Sequence, residues 1–220
     1  MILIVNEELS MNKNNNNPAT LASQDLLNAT LQALQAKNIQ PTVVKTAAEA
    51  LEKIKGLIPA GKSVMNGSSI TLKQIGFTDL LKSGKHPWNN LHAAILAEKD
   101  AAKQAELRKQ SVLSDFYLGS VHALTKDAEF IIASNSGSQL PHVVFTSPNL
   151  IFVVSSKKIV NSLDDAMNRL DNVVVPQENA RLMEVYGVET SLNQIFIFKN
   201  ENPMMNRNIQ MIIVEEDLGF

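Results

Sequence analysis

The sequence predicts an α/β protein in which a mostly parallel sheet is covered by helices on both faces. Short apolar runs alternate with amphipathic stretches along the 220 residues, as in strands joined by helices. Residues 151–154 are continuously apolar, which is typical of a buried parallel strand. Hydrophobic residues make up 45% of the chain, enough to build a core.

Helical periodicity and helix-ending residues define the predicted helices. Leucines recur on one face of residues 19–37, and Pro59 follows the amphipathic stretch 47–58. Gly76 separates two short helical turns. The predicted helices cover residues 19–37, 47–58, 72–75, 78–81, 89–110, 139–145, 160–170 and 178–185.

Short apolar runs that end in polar clusters define the predicted strands. Those near Thr42, Val64, Phe116, Phe130 and Phe152 are expected to lie mostly parallel in one sheet. The predicted extended segments cover residues 42–45, 63–66, 116–118, 130–133, 149–154, 173–175, 194–198 and 209–214.

The low-complexity run N-K-N-N-N-N-P over residues 12–18 predicts a flexible N-terminal segment, residues 1–17. Residues 18–220 are then expected to form one domain. Met11 is an alternative start, although an ordinary internal methionine is the preferred interpretation.

Composition and charge exclude several classes of function. The net charge is −2, and no basic patch predicts nucleic-acid binding. With no cysteine, this chain has no disulfide, cysteine nucleophile or cysteine-ligated iron–sulfur or zinc site. The four histidines lack paired metal-ligand spacing, so no metal is expected. No apolar run could span a bilayer, and a cytoplasmic protein is expected.

Polar residues that follow predicted strands are the candidates for binding. Two loops are expected to share one cleft and to bind a small anion through backbone N–H groups at helix starts. The alternative for both is structural, as a helix cap or a turn. Lys157 follows the next strand and could pair with an anionic ligand in the same cleft. Arg207 could bind a carboxylate bidentately. The predicted ligand-binding residues are Gly67, Ser68, Ser69, Thr71, Thr125, Ser134, Ser136, Gly137, Ser138, Gln139, Lys157 and Arg207.

His122 is the candidate for proton transfer, because an imidazole can act as acid or base near neutral pH. Glu129 or Asp127 would orient it. The alternative is a histidine that is hydrogen-bonded within the fold.

Four spaced blocks resemble the lactate-utilisation (LUD) domain proteins of the lactate utilisation protein C type. They begin with G-S-S-I-T-L-K-Q-I-G-F (residues 67–77) and D-F-Y-L-G-S-V-H-A-L-T-K-D-A-E-F-I-I-A-S-N-S-G-S-Q-L-P (residues 115–141). V-V-S-S-K-K-I-V-N-S-L-D-D-A-M (residues 153–167) and N-R-N-I-Q-M-I-I-V-E-E-D-L-G-F (residues 206–220) complete the set. Many relatives have glycine where this chain has Ala128 and Asn206. The stretch around His122 also resembles a block of methylthioribose-phosphate isomerase, in which a catalytic aspartate stands at the position of His122.

The resemblance implies a fold similar to glucosamine-phosphate deaminases, ribose-phosphate isomerases and CoA transferases. It also implies a component of bacterial L-lactate oxidation to pyruvate that works with partner proteins. One partner carries iron–sulfur clusters, and this chain is expected to hold no cofactor. The alternatives are a freestanding sugar-phosphate isomerase or CoA-transferase-like enzyme, and a regulatory subunit with a vestigial cleft. Whether this chain itself is an enzyme stays open at this point.

Overall fold

Strands and helices alternate along the chain in the computed structural model, which describes residues 20–220. The predicted flexible segment, residues 1–17, lies outside the described residues. The helices are α1 (Gln24–Ala36), α2 (Ala47–Leu57), α3 (Ile70–Gln74), α4 (Phe77–Ser83), α5 (Leu91–Ala97), α6 (Ala101–Gln110), α7 (Leu163–Arg169) and α8 (Val175–Tyr186). The strands are β1 (Ile39–Val44), β2 (Ser63–Asn66), β3 (Asn89–Asn90), β4 (Phe116–Gly119), β5 (Ala123–Thr125), β6 (Phe130–Ser134), β7 (Asn149–Ser155), β8 (Ile159–Val160), β9 (Gln194–Phe198) and β10 (Asn208–Val214).

The main sheet is parallel throughout and has the order β1-β10-β7-β4-β2-β3. Alternate side chains of its central strand β7 enter two separate cores, with Phe152 in one and Val153 in the other. Helix α1 packs into the first core through Leu34, and helix α2 packs into the second through Ile54. Helices therefore cover both faces of a mostly parallel sheet, which confirms the predicted fold class. Because β7 is buried on both faces, its sequence is a continuous apolar run.

A second, smaller sheet has the order β8-β5-β6-β9, with β6 antiparallel to both of its neighbours. The prediction that the strand at Phe130 belongs to the parallel sheet is therefore wrong. Only residues 126–129 join β5 to β6, and a parallel pair needs a crossover of a dozen or more residues. Phe130 packs between Phe152 of the main sheet and Phe198 of β9, with ring centroids 5.2 and 4.4 Å away.

Left-handed backbone occurs at both positions where this chain departs from the glycine of many relatives. Ala128 has φ +59° in the turn between β5 and β6, and Asn206 has φ +50° before β10. A residue with a Cβ adopts this conformation only at a cost, which glycine avoids. The turn geometry is therefore kept without the glycine.

Two predicted elements differ from the structure. The single helix expected over residues 89–110 is interrupted, because the Asp100 side chain accepts from Lys103 N at 2.9 Å and starts α6 afresh. Residues 173–175, expected to be extended, are helical. A π-helical turn, Leu170–Val174, leads directly into α8, where Pro176 occupies the first turn.

Candidate functional site

A cleft of about 460 Å³ opens where the carboxyl ends of β2, β4 and β7 meet. Because these strands are parallel and adjacent, the loops that follow them converge at one edge of the sheet. The loop after β6 and helix α8 complete the wall, and Phe220 lines the cleft as well. Both predicted loops, around Gly67 and around Ser136, lie in this one cleft.

The loop after β2 is held from beneath by a buried tyrosine. The Tyr117 hydroxyl hydrogen-bonds the backbone of Gly67 and lies only 2.8 Å from where a Cβ of residue 67 would stand. Burial raises the pKa of Tyr117, so the phenol stays neutral. Ser69 accepts from Leu72 N at 3.2 Å and caps α3, which is the structural role considered for this loop. Ligand binding by Gly67, Ser68 and Ser69 stays a prediction.

Lys158 lies at the floor of the cleft and is only 2% exposed. Its Nζ donates to Thr71 Oγ1 at 3.1 Å, to Ser120 Oγ at 3.1 Å and to Val121 O at 3.2 Å. These three acceptors match the three N–H donors of an ammonium, and all three are uncharged. Burial, followed by the charges of Arg169 and Lys157, lowers the pKa of Lys158 to about 7. Within residues 20–220, no carboxylate forms an ion pair with Lys158.

Lys157, the lysine expected at the cleft, instead forms an ion pair with Asp217. The two lysines belong to a 3₁₀ turn, Ser156–Lys158, in which successive side chains point about 120° apart. Only one of the pair can therefore reach the cleft, and it is Lys158. The sequence contains two adjacent lysines beside an apolar run and carries no signal that separates them.

His122 lies on the cleft wall, half-buried, between β4 and β5. Its Nδ1 accepts from Ala133 N at 3.0 Å, so the proton of the neutral ring is on Nε2. Burial, followed by the charges of Lys158 and Arg169, lowers the pKa of His122 to about 3. A neutral ring whose Nδ1 is occupied offers the cleft a hydrogen-bond donor, not a base.

The carboxylates expected to orient His122 do not reach it. Asp127 and Glu129 lie in the turn at the far end of β5, and Glu129 is 3.5 Å from Lys199 Nζ. Thr125, a predicted ligand-binding residue, accepts from Glu129 N at 3.0 Å and stabilises the same turn. The short strand β5 separates this turn from His122, and no strand was predicted at residues 123–125. The group that orients His122 is the Ala133 N–H.

The serine-rich loop after β6 satisfies much of its own hydrogen bonding. Gly137 N donates to Ser134 Oγ at 2.8 Å, and Ser134 Oγ donates to Gln139 Oε1 at 2.9 Å. Ser138 N lies 3.4 Å from Ser136 Oγ. The N–H groups of Ser136, Gly137 and Ser138 were expected to point freely into the cleft, and for Gly137 and Ser138 this expectation is wrong. Ser134, Ser136, Ser138 and Gln139 still line the cleft, and ligand binding by them stays a prediction.

Arg207 lies away from the cleft, and its carboxylate partner is internal. Its Nε donates to Glu201 Oε2 at 2.8 Å, and its Nη1 donates to Val143 O at 2.8 Å. These bonds tie the approach to β10 to the π-helical turn His142–Thr146. The expected contact with a ligand carboxylate is thus replaced by a structural ion pair.

Arg169 on α7 is a buried cation that the sequence analysis missed. It is 7% exposed, and its Nε and Nη2 atoms have no hydrogen-bond partner among the described residues. Burial lowers the pKa of Arg169 to about 10, while Asp217 acts in the opposite direction. The only signal is position: Arg169 is three residues after the buried Ala166, on the face of α7 that packs inward.

The described residues contain no group of three or more histidine, aspartate or glutamate side chains that could hold a metal. No helix in the described part of the chain is long and apolar enough to cross a membrane.

The fold and the cleft together define an open α/β protein with a polar, lysine-floored cleft at the carboxyl ends of parallel strands. The model of the LUD domain matches residues 27–216, so the chain belongs to the LUD domain family. No curated protein matches the sequence.

A crystal structure of a DUF162 family protein from Deinococcus radiodurans is similar in fold. It has a TM-score of 0.54 and 13% sequence identity, and the match covers 89% of this chain and 99% of the other. At that identity, the likeness concerns the fold alone.

Proposed function

We propose that this protein is the cluster-free component of a bacterial L-lactate oxidation system and that its cleft binds a small carboxylate or phosphorylated ligand. Membership of the LUD domain family supports the link to lactate utilisation. The absence of cysteine from the sequence fits a component that leaves iron–sulfur chemistry to a partner protein.

The observation that carries the anion site is the buried amine of Lys158. A buried ammonium without a paired charge is expensive, since proteins normally pair or neutralise such groups. Thr71 and Ser120 accept from Lys158, so their own hydroxyl protons must be directed elsewhere. Both side chains line the cleft beside His122. An anion there would accept from these hydroxyls and compensate the lysine charge.

A second candidate function is a freestanding enzyme, and the tautomer of His122 favours one version of it. A neutral imidazole that donates from Nε2 can polarise a carbonyl or stabilise a developing oxyanion. Proton abstraction would need another group, because His122 has its Nδ1 occupied and a pKa of about 3. The catalytic role in this candidate is therefore electrophilic.

Calorimetric titration with L-lactate, pyruvate and inorganic phosphate tests the anion site. We expect saturable binding of at least one of them, weakened about tenfold or more in Lys158→Met, since an opposite charge about 4–8 Å away contributes about 2–4 kcal/mol at an effective dielectric constant of about 20. Lys126→Met is the matched control, because Lys126 is exposed and lies outside the cleft. Equal loss in both variants, or no binding by the wild type, would remove the anion site.

Native purification followed by reconstitution tests the component role. We expect an iron–sulfur protein to co-purify with this chain, and lactate oxidation by the reconstituted system to depend on it. His122→Phe, which removes the Nε2 donor, separates the two candidates. Turnover by this chain alone that is lost in His122→Phe would favour the freestanding enzyme.

A further inference from the structure

Positive charge is in excess around the floor of the cleft, which Lys158 lines and which Lys157 and Arg169 approach without lining it. Lys157, Lys158 and Arg169 lie close enough to influence one another, and Asp217 is the carboxylate that faces them. With Lys158 protonated, these three cationic side chains against one carboxylate side chain leave two positive charges among the described residues. The neighbouring acids of the same C-terminal segment are engaged elsewhere: Glu215 pairs with Lys45, and Glu216 accepts from Ala47 N at 3.1 Å.

Arg169 makes this excess unusual for a protein interior. More than nine-tenths of its surface is buried, and neither Nε nor Nη2 finds an acceptor in the described part of the chain. Buried guanidinium groups are normally paired, because their desolvation is otherwise uncompensated. Asp217 does not form an ion pair with Arg169, and its carboxylate pairs with Lys157. Among residues 20–220, therefore, the two buried cations Lys158 and Arg169 have no charged partner within hydrogen-bond reach.

We propose that the cleft takes a phosphate monoester, with the doubly charged phosphoryl group at the cleft floor over Lys158. The charge of Arg169 acts on His122 and Lys158 from outside the cleft lining. This inference rests on the anion site proposed above and specifies the charge and shape of its ligand. Two excess positive charges match the roughly −1.5 to −2 of a phosphate monoester at neutral pH better than the single charge of lactate. Three uncharged donors suit a group with three terminal oxygens: the Thr71 hydroxyl, the Nε2–H of His122, and the Ser120 hydroxyl once it turns from Val121 O, to which it donates at a long 3.4 Å.

The remainder of the cleft has room and suitable chemistry for the organic part of such an ester. Its volume of about 460 Å³ falls in the range of about 300–1,000 Å³ for ligand pockets. Phe152, Val174 and Leu182 supply apolar wall, whereas the Ser134–Gln139 loop and the Glu178–Arg181 ion pair supply polar wall. Lactate would leave most of this volume unfilled.

Calorimetry at neutral pH and constant ionic strength, with phenyl phosphate, sulfate, malonate and L-lactate as probes, tests the inference. We expect phenyl phosphate to bind at least about tenfold tighter than L-lactate. Arg169→Met and Lys158→Met should each weaken phenyl phosphate about tenfold to 100-fold. Arg108→Met and Lys126→Met, at exposed sites outside the cleft, should leave it unchanged.

Thermal unfolding of the same variants distinguishes a binding role from a structural one. Without ligand, Arg169→Met should raise Tm by several degrees, because an unpaired buried charge is removed. With the same concentration of phenyl phosphate, wild-type Tm should rise, and the Tm of Arg169→Met should rise less, because the variant binds the ligand more weakly. If Arg169 is purely structural, the Arg169→Met variant will have a lower Tm than the wild type. Binding of phenyl phosphate by the Lys158→Met variant then decides whether the cleft is a phosphate site.

Each alternative result contradicts a stated part of the inference. If L-lactate binds as tightly as phenyl phosphate, the proposal of a doubly charged ligand is wrong, whereas the anion site itself is supported. If malonate, a dicarboxylate, binds as tightly as phenyl phosphate, the proposal that the site prefers a phosphoryl group is wrong. No saturable binding by any of the four probes would remove the anion site itself and this inference with it.

Discussion

Replacement of Lys158 by methionine should stabilise the ligand-free protein, which is the reverse of the usual effect of a core substitution. Burial and neighbouring charge lower the pKa of Lys158 from 10.5 to about 7. Because one pKa unit corresponds to about 1.4 kcal/mol, the charged form costs roughly 5 kcal/mol in the folded state. Methionine keeps a similar unbranched shape and has no charge.

The gain is partly offset by the hydrogen bonds that Lys158 makes. Thr71 can redirect its hydroxyl, but Val121 O loses the lysine donor and keeps only the Ser120 hydroxyl at 3.4 Å, at a cost of about 1–3 kcal/mol. The net gain is therefore roughly 2–4 kcal/mol at acidic to neutral pH. In a protein of this size each kcal/mol moves Tm by about 2–4 °C, so Tm should rise by roughly 4–16 °C.

The same variant has a defined pH dependence. Lys158 has a depressed folded-state pKa, so its cost is fully present below about pH 7 and is lost as pH rises towards the unfolded value of 10.5. Over that window the unfolded state binds the extra proton, and wild-type stability rises with pH. The advantage of Lys158→Met should shrink in parallel.

Urea unfolding at a series of pH values from 6 to 10, with Lys126→Met as control, measures this effect. A Lys158→Met variant that is less stable than wild type at pH 6 would refute the reasoning. An advantage that stays constant over the whole series would refute it equally, since it would show that the lysine charge is not the cause.

The remaining predictions concern the C-terminal segment, the core and one carboxylate. Gly219→Ala should lower Tm and weaken anion binding, because Gly219 has φ +61° and a Cβ there would collide with Thr71; unchanged calorimetry would contradict this. Phe130→Ala should destabilise by about 3–5 kcal/mol in urea unfolding, since its fully buried ring packs between two other phenylalanines; a cost below about 1 kcal/mol would argue against that packing. The pKa of Asp115 should lie below 3.8 in an NMR titration, because the Ser63 backbone N–H and then the Ser63 hydroxyl donate to its carboxylate. The contribution of Asp115 to stability should be lost as pH falls through that lowered pKa. A pKa at or above 3.8 would contradict the hydrogen bonds.

Local pattern was sufficient for the elements that are buried on both faces. The strands β7 and β10 were predicted nearly to the residue, because a parallel strand between two helical layers needs an unbroken apolar run. Helix starts were also predictable where a capping residue stands, as at Ser69. The pairing partners of the strands were not predictable from local pattern. The run at Phe130 has the same composition as a strand of the main sheet, and its place in the second sheet follows from the short turn before it and from packing across the core.

The sequence by itself determined that polar loops follow several parallel strands and converge at one edge of the sheet, because strand direction and turn-forming residues are local properties. Only the tertiary structure decided which charged and polar side chains at this edge are buried, and which of them are paired. It buries Lys158, pairs Lys157 with Asp217, occupies Nδ1 of His122 with a backbone N–H, and buries Arg169 of α7 without a hydrogen-bond partner for its Nε and Nη2 among the described residues. The physical reason is that burial and unpaired charge depend on neighbours remote in sequence, and these neighbours exist only once the chain has folded.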